Sequence, residues 1–193
     1  MNEQLSFLCN WVIAPRRVAA IAPSSRALAA LITRGISAAD APVLELGAGT
    51  GVFTRRLVAV GVPQDQLVLV ESGPGFARRL RHEFPSSRVL QMDAARLGGL
   101  DLFAGTGAGA VVSGLPLLSM SSLQVARILK GAFSQLRDGG AFYQFTYGPG
   151  CPVPRAVLER YGLRARLVGR TFANLPPAAV FRISRKAVAT RLF

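Results

Sequence analysis

Apolar and polar positions fall into alternating strand-like and helix-like runs from residue 43 onward. Short continuous apolar runs bounded by glycine, proline or polar residues indicate buried strands, and apolar residues three or four apart indicate helices. The pattern predicts strands at Val43 to Leu46, Leu67 to Val70 ending at Glu71, Arg88 to Gln91, Ala110 to Ser113, Ala141 to Thr146, Leu163 to Thr171 and Ala178 to Ser184. Helices are predicted at Val52 to Val60, after Glu71 as far as about Phe84, and at Leu123 to Leu136.

This alternation predicts an α/β fold in which a mostly parallel sheet carries helices on both faces. Gly139 and Gly140 are expected to interrupt the chain before the fifth strand. The last two strands follow one another closely, which predicts a terminal hairpin.

The first 35 residues are predicted to form two helical pieces separated by the region from Pro15 to Ser25. The first piece places its apolar residues on one side, and the second, capped by Ser24 or Ser25, ends near Gly35. Those apolar residues are Leu5, Leu8, Trp11 and Val12 in the first piece and Leu28, Leu31 and Ile32 in the second. We therefore divide the chain into an N-terminal helical segment, 1–35, and a domain, 36–193, within one folded unit.

A glycine-rich turn follows the first predicted strand. Gly47, Gly49 and Gly51 have the spacing G-x-G-x-G, whereas a dinucleotide site has G-x-G-x-x-G and places a pyrophosphate on the helix that follows. Glu45, two residues before the first glycine, would repel a phosphate but suits a cationic ligand. S-adenosylmethionine carries an ammonium and a sulfonium and no phosphate, and this spacing is that of the first motif of Rossmann-like methyltransferases. A purely structural turn or another nucleotide site is the alternative interpretation.

Acidic residues also end the second and third predicted strands. Glu71 lies about 20 residues after the glycines, where a carboxylate binds ribose hydroxyls, and Asp93 is placed to accept from the adenine amino group. The predicted cofactor set is Glu45, Leu46, Gly47, Gly49, Gly51, Glu71, Ser72, Asp93, Ala94 and Ser113. Two isolated cysteines and one histidine, His82, give no metal-ligand pattern, so we expect no metal.

Composition narrows the range of partners. The chain has 23 Lys and Arg against 10 Asp and Glu, a net charge of +13, and nearly all of the excess is arginine. Such a charge attracts nucleic acid or anionic lipid. The mean hydropathy of +0.35 favours the lipid surface. Because neither a cleavable signal nor an apolar run of about 20 residues is evident, we expect a cytoplasmic protein associated peripherally with the inner membrane.

The residues after the fourth predicted strand point to the methyl acceptor. Ser113, Gly114, Leu115 and Pro116 occupy the position at which amine and base N-methyltransferases grip the acceptor nitrogen, and we expect the backbone carbonyls of Gly114 to Pro116 to face the pocket. Leu117 stands where base methyltransferases have an aromatic residue that stacks on the base. The missing stacking partner counts against an RNA or DNA adenine substrate.

Three runs together make the resemblance specific: Val112 to Leu118, Phe142 to Tyr147, and Asn174-Leu175-Pro176-Pro177-Ala178. With them the chain resembles the bacterial phospholipid N-methyltransferases of the soluble, rhizobial type over essentially its whole length. This resemblance implies a seven-stranded class I methyltransferase fold and three successive methylations, from phosphatidylethanolamine through mono- and dimethyl forms to phosphatidylcholine. Ala48 departs from the family, since some members have proline there, and so does the glycine-rich stretch from Gly105 to Gly109.

These motifs predict which residues contact the methyl acceptor. Ser113, Gly114, Leu115 and Tyr147 are the predicted catalytic residues, and Tyr147 and Arg155 are the candidates for the lipid phosphate. Simple core packing of Tyr147 and a solvated helix charge at Arg155 are the alternatives.

The first helical piece is predicted to lie in the membrane interface. Phe7, Leu8 and Trp11 on one side, followed by Arg16 and Arg17, form an amphipathic segment suited to an anionic surface. Packing of this helix on the sheet is the alternative. We expect a monomer that binds its lipid substrate and an anionic membrane surface and no nucleic acid. An RNA adenine methyltransferase and a non-catalytic membrane-binding protein remain as competing functions.

Overall fold

A computed structural model of the chain describes residues 26–174 and 176–187. We number the helices α1 to α5 and the strands β1 to β7 within these residues. The helices are α1 (26–32), α2 (Val52–Ala59), α3 (Pro74–Glu83), α4 (Ser122–Gln135) and α5 (Arg155–Arg160). The strands are β1 (Val43–Leu46), β2 (Leu67–Glu71), β3 (Arg88–Gln91), β4 (Ala108–Ser113), β5 (Leu136–Thr146), β6 (Leu163–Thr171) and β7 (Ala178–Arg185).

The strands form one sheet in the order β3-β2-β1-β4-β5-β7-β6. The first five strands pair in parallel, and β7 runs antiparallel to both β5 and β6. The predicted α/β fold and the terminal hairpin are therefore confirmed. The strand order reverses between β1 and β4, because β2 follows β1 on one side and β5 follows β4 on the other. A ligand of an open α/β sheet binds at such a switch point.

Each face of the sheet is covered by a separate hydrophobic cluster. Phe142 belongs to the cluster formed with α4 and α5, and its neighbour Tyr143 belongs to the cluster formed with α1, α2 and α3. Because successive side chains of a strand point to opposite faces, the two clusters lie on opposite sides of the sheet. With helices on both faces, the carboxyl edge of the parallel strands is where a ligand of such a sheet binds.

Helix α1 is part of the second cluster. Leu28 and Leu31 are each 4% exposed and Ile32 is fully buried, which confirms the apolar stripe predicted for the second helical piece. Gly35 follows in a turn, with Tyr143 of β5 close by. The first helical piece lies outside the described residues.

The structure corrects the predicted starts of two strands, and the first of them, β4, begins at Ala108 instead of Ala110. β5 begins at Leu136, so Gly139 and Gly140 lie inside the strand and not before it. Ala108 pairs with Leu136 but Ala110 pairs with Ala141, so the extra residues form a bulge, which Gly139 permits with φ of +77°. Gly109, in the stretch that departs from the family pattern, belongs to β4, and a Cβ there would lie 2.3 Å from the carbonyl oxygen of Asp40.

Candidate functional site

The carboxyl ends of the central strands bring the predicted cofactor and acceptor residues to one edge. The amide of Gly47 donates to the carbonyl of Val70 at 2.8 Å, which ties the glycine turn to β2. The residues that follow β4, 114–119, are called the acceptor loop here. The amide of Gly114 donates to the carbonyl of Leu46 at 2.8 Å, which ties this loop to β1. Backbone hydrogen bonds thus assemble three strand ends into one site.

The glycine turn depends on backbone conformations that other residues rarely adopt. Gly47, Gly49 and Gly51 have φ of +69°, +52° and +76°, and glycine occupies this region without a steric penalty. A Cβ on Gly49 would find only one neighbouring atom within 4 Å, the carbonyl oxygen of Gly47 at 3.9 Å. The turn therefore leaves free space in front of Gly49 for a ligand to approach the backbone.

The glycine turn and the acceptor loop are in direct backbone contact. A Cβ on Gly114 would lie 2.6 Å from the carbonyl oxygen of Gly47, and a Cβ on Gly47 would lie 2.8 Å from the side chain of Leu115. The carbonyl oxygen of Gly47 belongs to the backbone and cannot move aside, so the close approach requires glycine at position 114. The Leu115 contact involves the end of a flexible side chain, and the φ of +69° is the stronger reason for glycine at position 47.

Glu45 is buried at the centre of β1, with 1% of its surface exposed. The hydroxyl of Thr54 donates to its carboxyl group at 2.7 Å. Desolvation raises the pKa of Glu45 to about 8, with a smaller contribution from Glu71, while the Thr54 hydrogen bond and Arg55 act in the opposite direction. A buried carboxyl of this kind gains most from a cationic partner, which would restore its charge.

Glu71 organises the turns on either side of it. Its two carboxyl oxygens accept hydrogen bonds from the amides of Gly49, at 2.8 Å, and Gly73, at 2.7 Å. The next residue, Ser72, is exposed at the same edge. Each carboxylate oxygen has a second lone pair, so Glu71 can fix the glycine turn and still accept from a ligand hydroxyl.

Asp93 caps the short 3-10 helix Ala94–Arg96, where one carboxylate oxygen accepts from the amide of Ala95 at 2.9 Å. The side chain is exposed beside the end of β3, while Ala94 is buried. The capping bond leaves the other carboxylate oxygen for the predicted contact with an adenine amino group.

The backbone carbonyls of Gly114 to Pro116 were expected to face the pocket, but those of Leu115 and Pro116 accept hydrogen bonds from the protein itself. The carbonyl of Leu115 accepts from the Nε2 of Gln144 and from the amide of Leu117, both at 2.9 Å, so both of its lone pairs are used. The carbonyl of Pro116 accepts from Ser119. These two groups therefore hold the loop together instead of facing a ligand. Ser113, which is fully buried, accepts from the amide of Leu115 at 3.3 Å and shapes the same turn.

An aromatic row leads from the glycine turn to the end of β5. Phe53, at the start of α2, meets Phe145 edge to face with ring centroids 6.0 Å apart, and Phe145 meets Tyr147 in the same way at 5.4 Å. All three rings are half-buried. Burial raises the pKa of the Tyr147 hydroxyl, and a hydrogen bond with the Asn174 side chain lowers it. The three rings pack against the cluster that contains α1, α2 and α3, whereas Leu115 and Leu117 pack against the cluster on the other face of the sheet.

Arg155 is the first residue of α5. Its guanidinium pairs with Glu159 one turn later, at 2.7 Å, and the side chain is exposed. Its proposed contact with a lipid phosphate stays a prediction, since the arginine already has an acidic partner on its own helix.

Sequence reasoning missed three polar residues of this site. Thr54 holds Glu45, Gln144 holds Leu115, and Asn174 contacts Tyr147. Among the described residues, Gln144 Oε1 and Asn174 Oδ1 are the buried side-chain atoms left without a hydrogen-bond partner. The signal for Gln144 was a lone amide within the apolar strand Ala141 to Phe145, where a buried polar residue requires a specific partner.

The predicted membrane residues Phe7, Leu8, Trp11, Arg16 and Arg17 lie outside the described part of the chain. Within residues 26–174 and 176–187, no helix is both long enough and apolar enough to cross a bilayer. The same residues contain no group of three or more metal-ligating side chains.

Similarities to known proteins extend over most of the chain. It is 31% identical over 186 residues to an ornithine lipid N-methyltransferase of Singulisphaera acidiphila, covering 94% of this chain and 95% of that protein. It is 39% identical over 113 residues to a ribosomal RNA small subunit methyltransferase A of Anaeromyxobacter dehalogenans, covering 50% of this chain and 39% of that protein. No protein-family model matches the chain.

Solved structures give the same fold. A TehB-like S-adenosylmethionine-dependent methyltransferase from Corynebacterium glutamicum superposes with a TM-score of 0.63 at 18% identity, over 92% of this chain and 97% of that one. At this level of identity the similarity concerns the fold alone. It agrees with the predicted class I methyltransferase sheet.

Proposed function

This chain belongs to the bacterial lipid N-methyltransferases, and from that premise we propose that it methylates the amine of phosphatidylethanolamine at a membrane surface. The methyl donor is S-adenosylmethionine, and successive transfers lead through the mono- and dimethyl forms to phosphatidylcholine. The observation that carries the proposal is the backbone contact between Gly47 and Gly114, which joins a cofactor turn to an acceptor loop at one sheet edge.

The residues present fit S-adenosylmethionine, which supplies a methyl group on a sulfonium. Glu45 offers a buried carboxyl to the cationic amino-acid end, and the space in front of Gly49 admits the ligand to the backbone. Glu71 and Asp93 retain acceptor capacity for ribose hydroxyls and the adenine amino group. Neither the turn nor the three acids would suit a pyrophosphate.

The aromatic row suits an amine that becomes methylated in steps. The faces of Phe53, Phe145 and Tyr147 attract an ammonium, and such attraction persists when methyl groups replace its N–H donors. A site that held the ammonium through hydrogen bonds alone would lose one N–H donor with each methyl transfer. The Tyr147 hydroxyl is our candidate contact for the headgroup phosphate, with Arg155 as a further candidate if it exchanges its partner Glu159.

The attacking amine must first lose a proton, since an ammonium has no lone pair. Its pKa in water resembles that of lysine, about 10, and a desolvated pocket lowers it. Orientation and desolvation then contribute most of the rate, and no strong base is required. The single histidine, His82, lies on α3 and is exposed, away from the acceptor loop.

Two other acceptors follow from the relatives. The first is ornithine lipid, which also presents a primary amine at a membrane surface and is named as the substrate of the relative aligned over 94% of this chain. The second is RNA adenine, because half of the chain aligns with a ribosomal RNA methyltransferase. Leu117 in place of a stacking aromatic residue counts against the adenine.

Transfer of labelled methyl groups separates these substrates. The purified chain is incubated with labelled S-adenosylmethionine and vesicles containing phosphatidylethanolamine, vesicles containing ornithine lipid, or RNA. We expect label in phosphatidylethanolamine, and none with Gly47→Val, because a β-branched residue is strained at the φ of +69° and its side chain would also meet Leu115. Label in ornithine lipid alone would show that ornithine lipid, and not phosphatidylethanolamine, is the substrate. Label in RNA alone would refute a lipid acceptor.

Membrane-surface action has support from the described residues as well as from the N-terminal segment. Phe172, 79% exposed, and Leu118, 44% exposed, both follow strand ends at the carboxyl edge. Apolar side chains exposed around a site favour contact with the bilayer interface. Exposed apolar side chains on the carboxyl side of the sheet therefore support contact of this side with a lipid surface.

Vesicle sedimentation tests the role of the N-terminal segment. The combined substitutions Trp11→Glu, Arg16→Glu and Arg17→Glu should reduce binding to anionic vesicles, and wild-type binding should weaken as salt screens the charges. If the triple variant pellets with vesicles like the wild type, the segment is not the anchor.

A further inference from the structure

Gln144 is a buried polar residue within an otherwise apolar stretch of β5. It pairs with Ser113 of β4 on one side and with Phe181 of β7 on the other, and none of its surface is exposed. Its side chain lies on the same face of the sheet as that of Phe142, two residues earlier, and Leu115 packs against this face as well. Strand pairing on both sides therefore fixes the carboxamide of Gln144 beside the acceptor loop.

The nitrogen of this carboxamide uses both of its hydrogen atoms. Nε2 donates to the carbonyl of Leu115 at 2.9 Å and to the carbonyl of Phe145 at 2.8 Å. The side chain thus joins the acceptor loop to the neighbouring strand. A side-chain carbon of Leu115 lies 2.8 Å from the position that a Cβ on Gly47 would take. The residue that Gln144 holds therefore also borders the glycine turn.

The oxygen of the same carboxamide has no partner. Gln144 Oε1 is buried and accepts no hydrogen bond from the described residues. Such burial lowers stability, because the oxygen has lost its hydrogen bonds to water and gained none from the protein. An apolar side chain of the same length would avoid this loss. The contact with the acceptor loop is what an apolar residue could not provide at this position.

Two hydrogen bonds attach the start of the acceptor loop to the sheet. The amide of Gly114 donates to the carbonyl of Leu46 in β1, and Nε2 of Gln144 attaches the next residue, Leu115, to β5. Without the second bond, the loop would keep its attachment on the cofactor side and could shift on the other side. A displacement of about 1 Å between reacting groups can slow a reaction by about a hundredfold.

We propose that Gln144 is a positioning residue for methyl transfer, which holds the acceptor loop so that the amine lies in line with the methyl group of the donor. It acts through the carbonyl of Leu115 and not by contact with either substrate. The inference rests on the amine methylation proposed above. Loss of the carboxamide should therefore lower the rate of transfer and leave donor binding and the stability of the fold unchanged.

Gln144→Met keeps the length of the side chain and removes the carboxamide. Its steady-state kinetics are measured with labelled S-adenosylmethionine and vesicles of phosphatidylethanolamine, or of ornithine lipid if the wild type methylates that lipid. The kcat should fall by about tenfold to a hundredfold. The KM for the lipid and the affinity for S-adenosylhomocysteine should stay close to wild type. The midpoint of urea denaturation should also stay close, because the two hydrogen bonds and the unpartnered oxygen are lost together.

The matched control is Gln135→Met, the same substitution at a second buried glutamine. Gln135 is 3% exposed and ends α4 just before β5, at the amino edge of the parallel strands. Its Oε1 accepts from the amide of Leu102 at 3.1 Å, and its Nε2 donates to the carbonyl of Leu100 at 2.6 Å. Because this variant removes a carboxamide that is bonded through both its oxygen and its nitrogen, it should lower the midpoint of denaturation and leave kcat unchanged.

The possible results separate this inference from the proposed function. Wild-type kcat in Gln144→Met, or a rise in KM without a fall in kcat, would overturn the positioning role. A loss of stability as large as that of Gln135→Met would make Gln144 a structural residue and would overturn it too. A wild type that transfers no label to either lipid would refute the proposed function, and this inference with it.

Discussion

Replacing Glu45 by glutamine keeps the shape of the side chain and removes its ionisation. Glutamine still offers a carbonyl oxygen to the Thr54 hydroxyl, which donates to the wild-type carboxyl at 2.7 Å. Any change in the pH dependence of the protein then reports the charge of Glu45 and its interaction with Glu71. The other carboxyl groups of the site, Glu71 and Asp93, are unaltered.

The buried carboxyl makes stability depend on pH in a defined direction. Its folded-state pKa of about 8 lies above the ordinary value of 4.5, so between these values the folded chain holds a proton that the unfolded chain has lost. The free energy of unfolding therefore falls as the pH rises through this window and levels off above about pH 8. At about 1.4 kcal/mol per pH unit, the loss amounts to several kcal/mol. Glu45→Gln should lack this loss and be more stable than the wild type at the upper end of the window.

Cofactor binding should follow the opposite trend. If Glu45 pairs with the ammonium of the ligand, it must be ionised in the complex, so binding at neutral pH releases its proton. The affinity for S-adenosylhomocysteine should then rise by up to about tenfold per pH unit below pH 8. Glu45→Gln should bind roughly ten- to a hundredfold more weakly at about pH 8, because it loses a hydrogen bond to a charged group.

Calorimetry in two buffers of different ionisation enthalpy counts the released proton, and chemical denaturation at several pH values gives the stability. Subtracting the variant from the wild type removes protons that the ligand itself exchanges. Equal proton release in the two proteins, or equal pH slopes of stability, would refute the assignment of Glu45 as a neutral buried carboxyl that ionises on binding.

Two further substitutions test the acceptor side. Gly114→Ala places a carbon 2.6 Å from the Gly47 carbonyl oxygen, so it should lower the free energy of unfolding by about 1–3 kcal/mol and weaken cofactor binding. The control is Gly75→Ala, where the added carbon meets open space, and denaturation curves should show no change or a stabilisation of up to about 1 kcal/mol. Tyr147→Phe should lower turnover on phosphatidylethanolamine vesicles by about tenfold or more while affinity for S-adenosylhomocysteine stays near wild type. Unchanged turnover would make Tyr147 a packing residue.

The order of strands and the cofactor edge could be predicted because each depends on local sequence. Continuous apolar runs mark the buried parallel strands, and the positive φ of Gly47 and Gly49 explains why glycine is favoured at both positions. The bounds of β5 could not be predicted in this way. Gly139 and Gly140 normally end a strand, but here the neighbouring β4 supplies hydrogen bonds on both sides of the bulge and keeps the strand intact.

Contacts between distant elements account for the remaining differences. The bond from Gln144 to the carbonyl of Leu115 joins residues 29 positions apart, and its existence depends on how two strands are paired in register. Spacing along a single sequence contains no signal for such contacts.

The contact of Gly114 with Gly47 has a consequence for how new substrates arise in this fold. Since the two loops share one backbone contact, an insertion or bulky residue in the acceptor loop would disturb methyl-donor binding at the same time. Changes in acceptor preference must therefore occur in side chains that leave this contact alone. Directed evolution should search first at Leu117 and Leu118, just beyond the contact, and at Tyr147, whose neighbour Gly148 lies beside Leu118.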